Sequence, residues 1–307
     1  MCSTCSSIHG FIMADAAVAL PRRGWQASLL MILSSRIGAI GVLILVVFTL
    51  VALGAPLIAP YDPLMIHRLP DNSVAQLLPP SSKFWLGTTY YGRDVLSQLI
   101  YGTRVAMIVG LVSAFFITAI GTNIGLVAGY FGGWVDAVLM RITDVVFGIP
   151  FLPFSVVLVA LLRPSLSNII LTISCLLWRT TARVIRAQVL SLRERPFIKA
   201  AKVAGAGNLR IMYVHILPNV LPMSLLYVAL GIGWAVLAEA SLSFLGFGDP
   251  NMLSWGEILY QAYLTGSFRS SWWVVIPPGV CIALFVASAF MIGREAETIV
   301  NPRLRSP

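Results

Sequence analysis

The feature that most constrains this chain is a series of six long runs that are almost free of charged residues. A helix needs about 20 apolar residues to cross the hydrocarbon core of a bilayer. Hydrophobic residues make up 58% of the chain and its mean hydropathy is +0.88, more apolar surface than a soluble domain could keep from water. The sequence therefore predicts an all-α integral membrane protein with six transmembrane helices. The runs cover residues 37–60, 105–130, 145–162, 165–178, 216–244 and 270–293.

The fourth run is too short to cross a bilayer alone, and we expect its helix to continue past Arg179 toward residue 183 or 186. Basic residues predict the orientation, because basic loops tend to stay in the cytoplasm. With the N-terminus inside, 14 of the 21 basic residues fall in cytoplasmic segments and six in outer segments, while Arg179 lies within the extended fourth span. Both termini are therefore expected in the cytoplasm. The same distribution explains the net charge of +9 by topology, so it does not indicate binding to nucleic acid.

The runs also predict the organisation of the chain. We expect a cytoplasmic N-terminal segment, a first transmembrane helix, an extracytoplasmic loop, a five-helix core and a cytoplasmic tail. Residues 92–100 of the loop are predicted to form a short amphipathic helix that enters the second span. Signal peptides have shorter apolar regions than the first run, so none is predicted. The five parts cover residues 1–35, 36–60, 61–103, 104–293 and 294–307.

The first residues differ in composition from the rest, and Met13 is a candidate start. Cys2 and Cys5 have the spacing of half a metal or redox site, but no second cysteine pair or histidine cluster completes it. We interpret them as an incidental pair.

Residues 194–222, here called the basic segment, concentrate charge between two apolar runs. Pro196 suits the first turn of a helix. Gly205 and Gly207 are predicted to end that helix, with a positive φ at Gly205, and Asn208 to cap the next one. The helix carries a narrow apolar stripe flanked by Lys199 and Lys202, and the stripe would rest on lipid or insert into a groove of a partner protein. Its members are Phe197, Ala200, Ala201 and Ala204.

Four glycines recur every fourth residue in and after the second run, which predicts one close-packing helix face. They are Gly121, Gly125, Gly129 and Gly133. Prolines in the third, fifth and sixth runs predict breaks or kinks. Glu239 is an intramembrane carboxylate that either has a structural role near the interface or lines a pathway. Asp144 is expected to be solvated or paired with Arg141.

The sequence contains no motif for phosphate binding, zinc proteolysis or serine hydrolysis, so we predict no catalytic, cofactor or metal residues. His215 is the only histidine near the basic segment and a poor metal site by itself. Two rival functions stay open, an ion-coupled secondary transporter and an intramembrane enzyme. The first usually needs internal repeats and ionisable residues at mid-membrane, and neither is evident here.

The basic segment resembles the coupling loop of bacterial ABC importer permeases, whose signature is E-A-A, three residues, G, nine residues and I-x-L-P. Matching positions are Lys199, Ala200, Ala201, Gly205, His215, Leu217 and Pro218. Lys199 replaces the usual glutamate and His215 the usual isoleucine. Further segments are similar to the C-type permease subunit of dipeptide and oligopeptide systems. They are residues 87–88, 92–97, 101–104, 215–219, 242–246 and 301–303.

The resemblance implies a type I importer permease with six transmembrane helices and a cytoplasmic coupling helix in the bacterial inner membrane. It would form a heterodimer with a second permease subunit, dock two cytoplasmic ABC ATPases and receive substrate from an extracytoplasmic binding protein. Contact with lipid is implied, and ATP hydrolysis would belong to the ATPases, so the chain itself would be no enzyme. The implied cargo is short peptides, with nickel chelates, glutathione or other cargo as alternatives.

Overall fold

The computed structural model of the protein describes residues 33–300. Cys2, Cys5, Arg303 and the other residues outside this range lie beyond the described part of the chain, as do the predictions made for them. The helices are α1 (Arg36–Ile58), α2 (Val95–Phe131), α3 (Gly133–Gly148), α4 (Phe151–Leu162), α5 (Leu166–Arg193), α6 (Pro196–Val203), α7 (Asn208–Arg210), α8 (Leu217–Leu242), α9 (Trp255–Leu264) and α10 (Trp272–Val300). Two π-helical segments, Ile211–Ile216 and Ser243–Phe247, flank α8.

Five helical segments in the described part of the chain are long and apolar enough to cross a membrane, and a bent helix pair makes a sixth. The fold is thus the predicted all-α membrane fold. The third span begins earlier than the predicted residue 145, and it breaks at the prolines as predicted: α3 and α4 meet at an angle of 92°. Pro150 lies at this break and has no N–H to donate to the carbonyl of Val146 one turn earlier. Prolines in the fifth and sixth runs break neither helix, since α8 continues through Pro222 and α10 through Pro277 and Pro278.

The second and fourth spans are longer than their apolar runs. α2 begins at Val95, because the predicted amphipathic segment continues into the span without a break, and the carboxylate of Asp94 caps it by accepting from the N–H of Ser97 at 2.8 Å. α5 runs past Arg186 to Arg193. These two helices form the centre of the fold.

Three of the four glycines form the predicted close-packing face. A Cβ on Gly121, Gly125 or Gly129 would lie 2.6–2.7 Å from the nearest atom of α5. Gly133 does not belong to this face, because α2 ends at Phe131 and the chain turns through Gly132 and Gly133, which both have positive φ. The regular spacing of four residues therefore continues to one glycine, Gly133, that lies beyond the end of α2.

The loop between α1 and α2 folds onto the start of α2. The Thr88 hydroxyl donates to the carbonyl of Ala75 at 2.6 Å and accepts from the N–H of Leu78 at 2.9 Å. A Cβ on Gly87 would lie 2.4 Å from the Leu78 carbonyl, and its φ is +67°, so glycine is required there. The indole of Trp273 at the start of α10 donates to the Thr88 carbonyl at 3.3 Å. Residues 87–97 thus hold the loop against the ends of two spans.

Candidate functional site

The basic segment folds as two short helices joined by a turn. Pro196 is the first residue of α6, and Gly205 has the predicted positive φ, +80°, just after the helix ends. The prediction for Asn208 was wrong by one position: Gly207 precedes α7, and the Asn208 side chain instead accepts a hydrogen bond from the Tyr130 hydroxyl at 2.8 Å. Because Tyr130 is at the end of α2, this bond ties the turn to the membrane core.

One face of α6 anchors the basic segment to the core. Ile198 is completely buried. It packs in an apolar cluster with Leu126 of α2, Val189 of α5 and Met212 of the π-helical segment that leads into α8. The position of α6 is therefore set by its packing against α2, α5 and the π-helical segment that leads into α8.

The opposite face of the basic segment is exposed. Val203 is 90% exposed, Leu209 70% and Phe197 43%. The predicted stripe does not form a single face: Ala200 and Ala204 are exposed beside Phe197, but Ala201 is partly buried against the apolar cluster. Ile198, which is not a member of the stripe, makes the main contact with the core instead. The exposed part is an apolar surface that residues 33–300 leave uncovered.

The charges around that surface are mostly positive. Lys199, Lys202 and Arg210 are exposed, and the Lys199 ammonium lies 3.5 Å from the Glu194 carboxylate. Both members of that pair are about two-thirds exposed (64% and 65%), so solvent screens it and it adds little stability. His215 lies in the π-helical segment Ile211–Ile216, and Leu217 and Pro218 begin α8. The backbone carbonyl of His215 accepts a hydrogen bond from the side-chain amide of Asn219 at 2.6 Å.

A cavity of about 330 Å³, here called the Arg179 cavity, lies among the membrane helices. Its walls come from α2, α3, α5 and α8. Its lining includes Phe147, Arg179, Thr180, Tyr227 and Trp234. Sequence reasoning did not assign it, although a single arginine within an apolar run was the signal available.

Arg179 lies at the break in the third span. Its Nη1 donates to the carbonyl of Val146 at 2.9 Å, the acceptor that Pro150 leaves without its helical partner, and its guanidinium lies 4.9 Å from the centre of the Phe147 ring. The guanidinium of Arg183 also lies over the Phe147 ring, 3.9 Å from its centre, and binds the carboxylate of Asp144 at 2.5 Å. Of the two alternatives for Asp144, pairing with Arg141 was wrong, because α5 brings Arg183 closer; the Asp144 side chain is half exposed.

Glu239 is the carboxylate within the fifth span. Glu239 is 3% exposed and accepts a hydrogen bond from the Ser243 hydroxyl at 2.6 Å, a buried position that favours the structural alternative over a pathway position.

A second cavity, of about 420 Å³, lies at the other end of the core between the α1–α2 loop, α2 and the segment before α9. Tyr101 and Arg104 contribute to its walls. Within residues 33–300 we find no group of three or more His, Cys, Asp or Glu residues able to hold a metal ion.

Comparison with known proteins matches the sequence to two family models. Residues 121–306 match the family described as binding-protein-dependent transport system inner membrane component, and residues 25–80 match the N-terminal TM domain of oligopeptide transport permease C.

Individual relatives agree along nearly the whole chain. The dipeptide transport system permease protein DppC of Alkalihalophilus pseudofirmus is 34% identical over 283 residues, 92% of this chain and 91% of that protein. The di/tripeptide transport system permease protein DppC of Pseudomonas aeruginosa is 32% identical over 312 residues, 98% of this chain and 99% of that protein. The oligopeptide transport system permease protein OppC of Mycobacterium bovis is 34% identical over 252 residues, 80% and 84% respectively. The chain therefore belongs to the binding-protein-dependent transport system inner membrane components, the permease subunits of ABC importers.

Proposed function

We propose that this permease carries short peptides across the bacterial inner membrane. The observation that carries the proposal is the similarity, over 92% of the chain, to a permease of a dipeptide transport system. The cavities support it in a general way, since an importer of varied peptides needs a passage that makes few specific contacts with side chains. Nickel chelates and glutathione are the competing cargoes.

The exposed face of the basic segment is the proposed docking surface for ABC ATPases. Phe197, Val203 and Leu209 offer apolar side chains, while the buried Ile198 fixes the helix so that these side chains point away from the core. An isolated amphipathic helix on lipid would need no such anchor. A helix fixed on one face and bare on the other suits insertion into a groove of a partner protein.

This proposal requires a definite orientation, with the basic segment in the cytoplasm, as the distribution of basic residues predicts. A second permease subunit would cover part of the apolar surface of the spans, and a binding protein would deliver peptide to the opposite end. Reporter fusions at Ser82 are expected to be extracytoplasmic and those at Pro307 cytoplasmic.

The docking role can be tested at the turn after α6. Gly205 has a positive φ and no atom within 4 Å of its missing Cβ, so a side chain there strains the backbone and projects from the surface without clashing inside the chain. The strain is about 1–2 kcal/mol. We expect Gly205→Glu to insert normally but to lose substrate-stimulated ATPase activity in the complex reconstituted with its partner subunits.

Gly207 is the matched control, since it also has open space around it but a negative φ of −66°. Gly207→Ala should retain coupling, whereas Gly205→Ala should lose part of it. Normal stimulation in Gly205→Glu would contradict the docking role and leave the family assignment standing.

The cargo is tested by uptake in a strain that lacks this gene and has no redundant peptide importer. We expect loss of labelled di- and tripeptide uptake and resistance to toxic peptide analogues, with both restored by the intact gene. Unchanged peptide uptake together with lost uptake of glutathione or a nickel chelate would replace the cargo assignment. Uptake by proteoliposomes that follows an ion gradient and ignores ATP would favour a secondary transporter instead.

A further inference from the structure

The arginines of α5 differ in how their charge is balanced. Arg183 binds Asp144 at 2.5 Å, Arg186 binds Asp136 at 2.5 Å, and Arg193 lies 3.4 Å from Glu194. Arg179 alone among the four has no carboxylate within 4 Å in the part of the chain that the structure describes. Of the four it is also the nearest to the start of α5, 13 residues or about 20 Å along the helix from Leu166, and it directly follows the fourth apolar run.

A cation within a membrane span that no carboxylate balances is costly, because apolar side chains and lipid cannot solvate it as water does. The hydrogen bond to the Val146 carbonyl does not explain the charge. A guanidinium has five N–H groups, and Nη1 supplies the one bond to Val146. A neutral donor would satisfy that carbonyl equally well. The Phe147 ring, which Arg183 approaches more closely, offers the charge only a weak partner, so the positive charge calls for a further one.

The Arg179 cavity shows where that partner would sit. Arg179 and Thr180 supply a cation and a hydroxyl from α5, and Tyr227 and Trp234 supply aromatic surface from α8. The volume of about 330 Å³ is at the lower end of the range of small-ligand sites, roughly 300–1,000 Å³. The cavity thus combines one fixed positive charge with adaptable aromatic walls.

We propose that Arg179 is a carboxylate subsite of the transport pathway and binds the C-terminal carboxylate of a peptide during its passage. The inference rests on the proposed peptide function. Peptide cargoes differ in their side chains but share a terminal carboxylate, so a single cation can hold every one of them without selecting among sequences. Arginine is suited to this role because its planar N–H groups match the two carboxylate oxygens.

The test uses the complete transporter, assembled with its partner subunits and binding protein in proteoliposomes. Uptake is measured for a labelled tripeptide and for the same tripeptide with a C-terminal amide, at equal occupancy of the binding protein. In Arg179→Gln we expect uptake of the free acid to fall about tenfold, the effect of losing one charge-assisted contact, with uptake of the amide unchanged. Arg179→Lys, which keeps the charge, should stay within about threefold of the unmodified transporter for the acid.

Arg183→Gln is the matched control, because it removes an arginine one turn away whose charge Asp144 already balances. We expect it to affect acid and amide alike. Equal losses for acid and amide in Arg179→Gln, or equal acid uptake in the Gln and Lys variants, would overturn the subsite and leave Arg179 as a support for Val146. If the unmodified transporter shows no ATP-driven uptake of either peptide, the peptide assignment fails first and the subsite with it.

Discussion

The packing of α2 against α5 gives the sharpest quantitative prediction, at Gly125. A Cβ at this position would lie 2.6 Å from the Ala182 carbonyl oxygen and 2.9 Å from the Arg186 nitrogen, both backbone atoms that cannot rotate away. Ordinary contact begins at 3.4 Å, so Gly125→Ala requires the helices to separate by 3.4 − 2.6 = 0.8 Å at this point. Gly121 and Gly129 make equally close approaches one turn to each side, and their contacts would loosen together.

Two effects of opposite sign decide the outcome. Alanine improves helix propensity over glycine by about 1 kcal/mol. Overpacking typically costs about 1–3 kcal/mol, and the rigid backbone contact places this site at the upper end. A gap of this size also forfeits about a quarter to a half of each dispersion contact along the seam. We therefore expect Gly125→Ala to lower the unfolding free energy by about 1–2 kcal/mol net.

The measurement is the free energy of unfolding of the purified permease in mixed micelles, by steric trapping or by titration with a denaturing detergent. Gly233→Ala in α8 is the matched control, since its added Cβ would meet its nearest atom at an ordinary 3.5 Å. That variant should be neutral or slightly stabilised. If both variants have the same stability, the α2–α5 seam is not the close-packed unit described here.

Three further predictions concern other parts of the chain. Reporter fusions should place Asn208 in the cytoplasm and Asn251 outside, and an external reporter at Asn208 would refute the proposed orientation. Burial lowers the pKa of His67 below its usual 6.5, so the fold favours the neutral ring; the stability of the α1–α2 loop should be full above pH 6.5 and fall as the pH drops below it. Hydrogen exchange at pH 7.5 and 5.5 measures this, and a His67→Gln variant should show no such change. The Asp136–Arg186 pair joins α3 to α5 at 2.5 Å. Asp136→Asn should cost about 1–3 kcal/mol, and a double-mutant cycle with Arg186→Gln should show coupling of that order, whereas additive effects would argue against the pair.

The parts of this fold that sequence reasoning predicts are those controlled by local chemistry. A charge-free run of sufficient length specifies a membrane helix, and a glycine after a short helix specifies a positive φ, as found at Gly205. The close face at Gly121, Gly125 and Gly129 follows from helical spacing alone. Each of these depends on residues within a few turns of one another.

The parts that sequence reasoning missed depend on distant partners. The prolines predicted a break in the third span, but not that Arg179, 33 residues after Val146, supplies the hydrogen bond lost at Pro150. Asp144 pairs with Arg183 because α5 packs beside α3, which the local spacing of Arg141 could not reveal. Ala201 and Ala200 differ in burial because the cluster around Ile198 sets the rotation of α6.

Helix α5 connects the basic segment with the Arg179 cavity. Val189 of α5 packs in the same apolar cluster as Ile198 of α6, and Arg179 lies 10 residues or about 15 Å away on the same α5. The glycine seam holds α5 tightly to α2, so a displacement of α6 would move the pair as a rigid body and not bend it. Arg179 would move with α5, and its bonds to Val146 and Phe147 would carry the shift to the bend between α3 and α4. A bend held by one long-range side chain deforms more easily than a continuous helix, so we expect the motion to concentrate there, beside the Arg179 cavity.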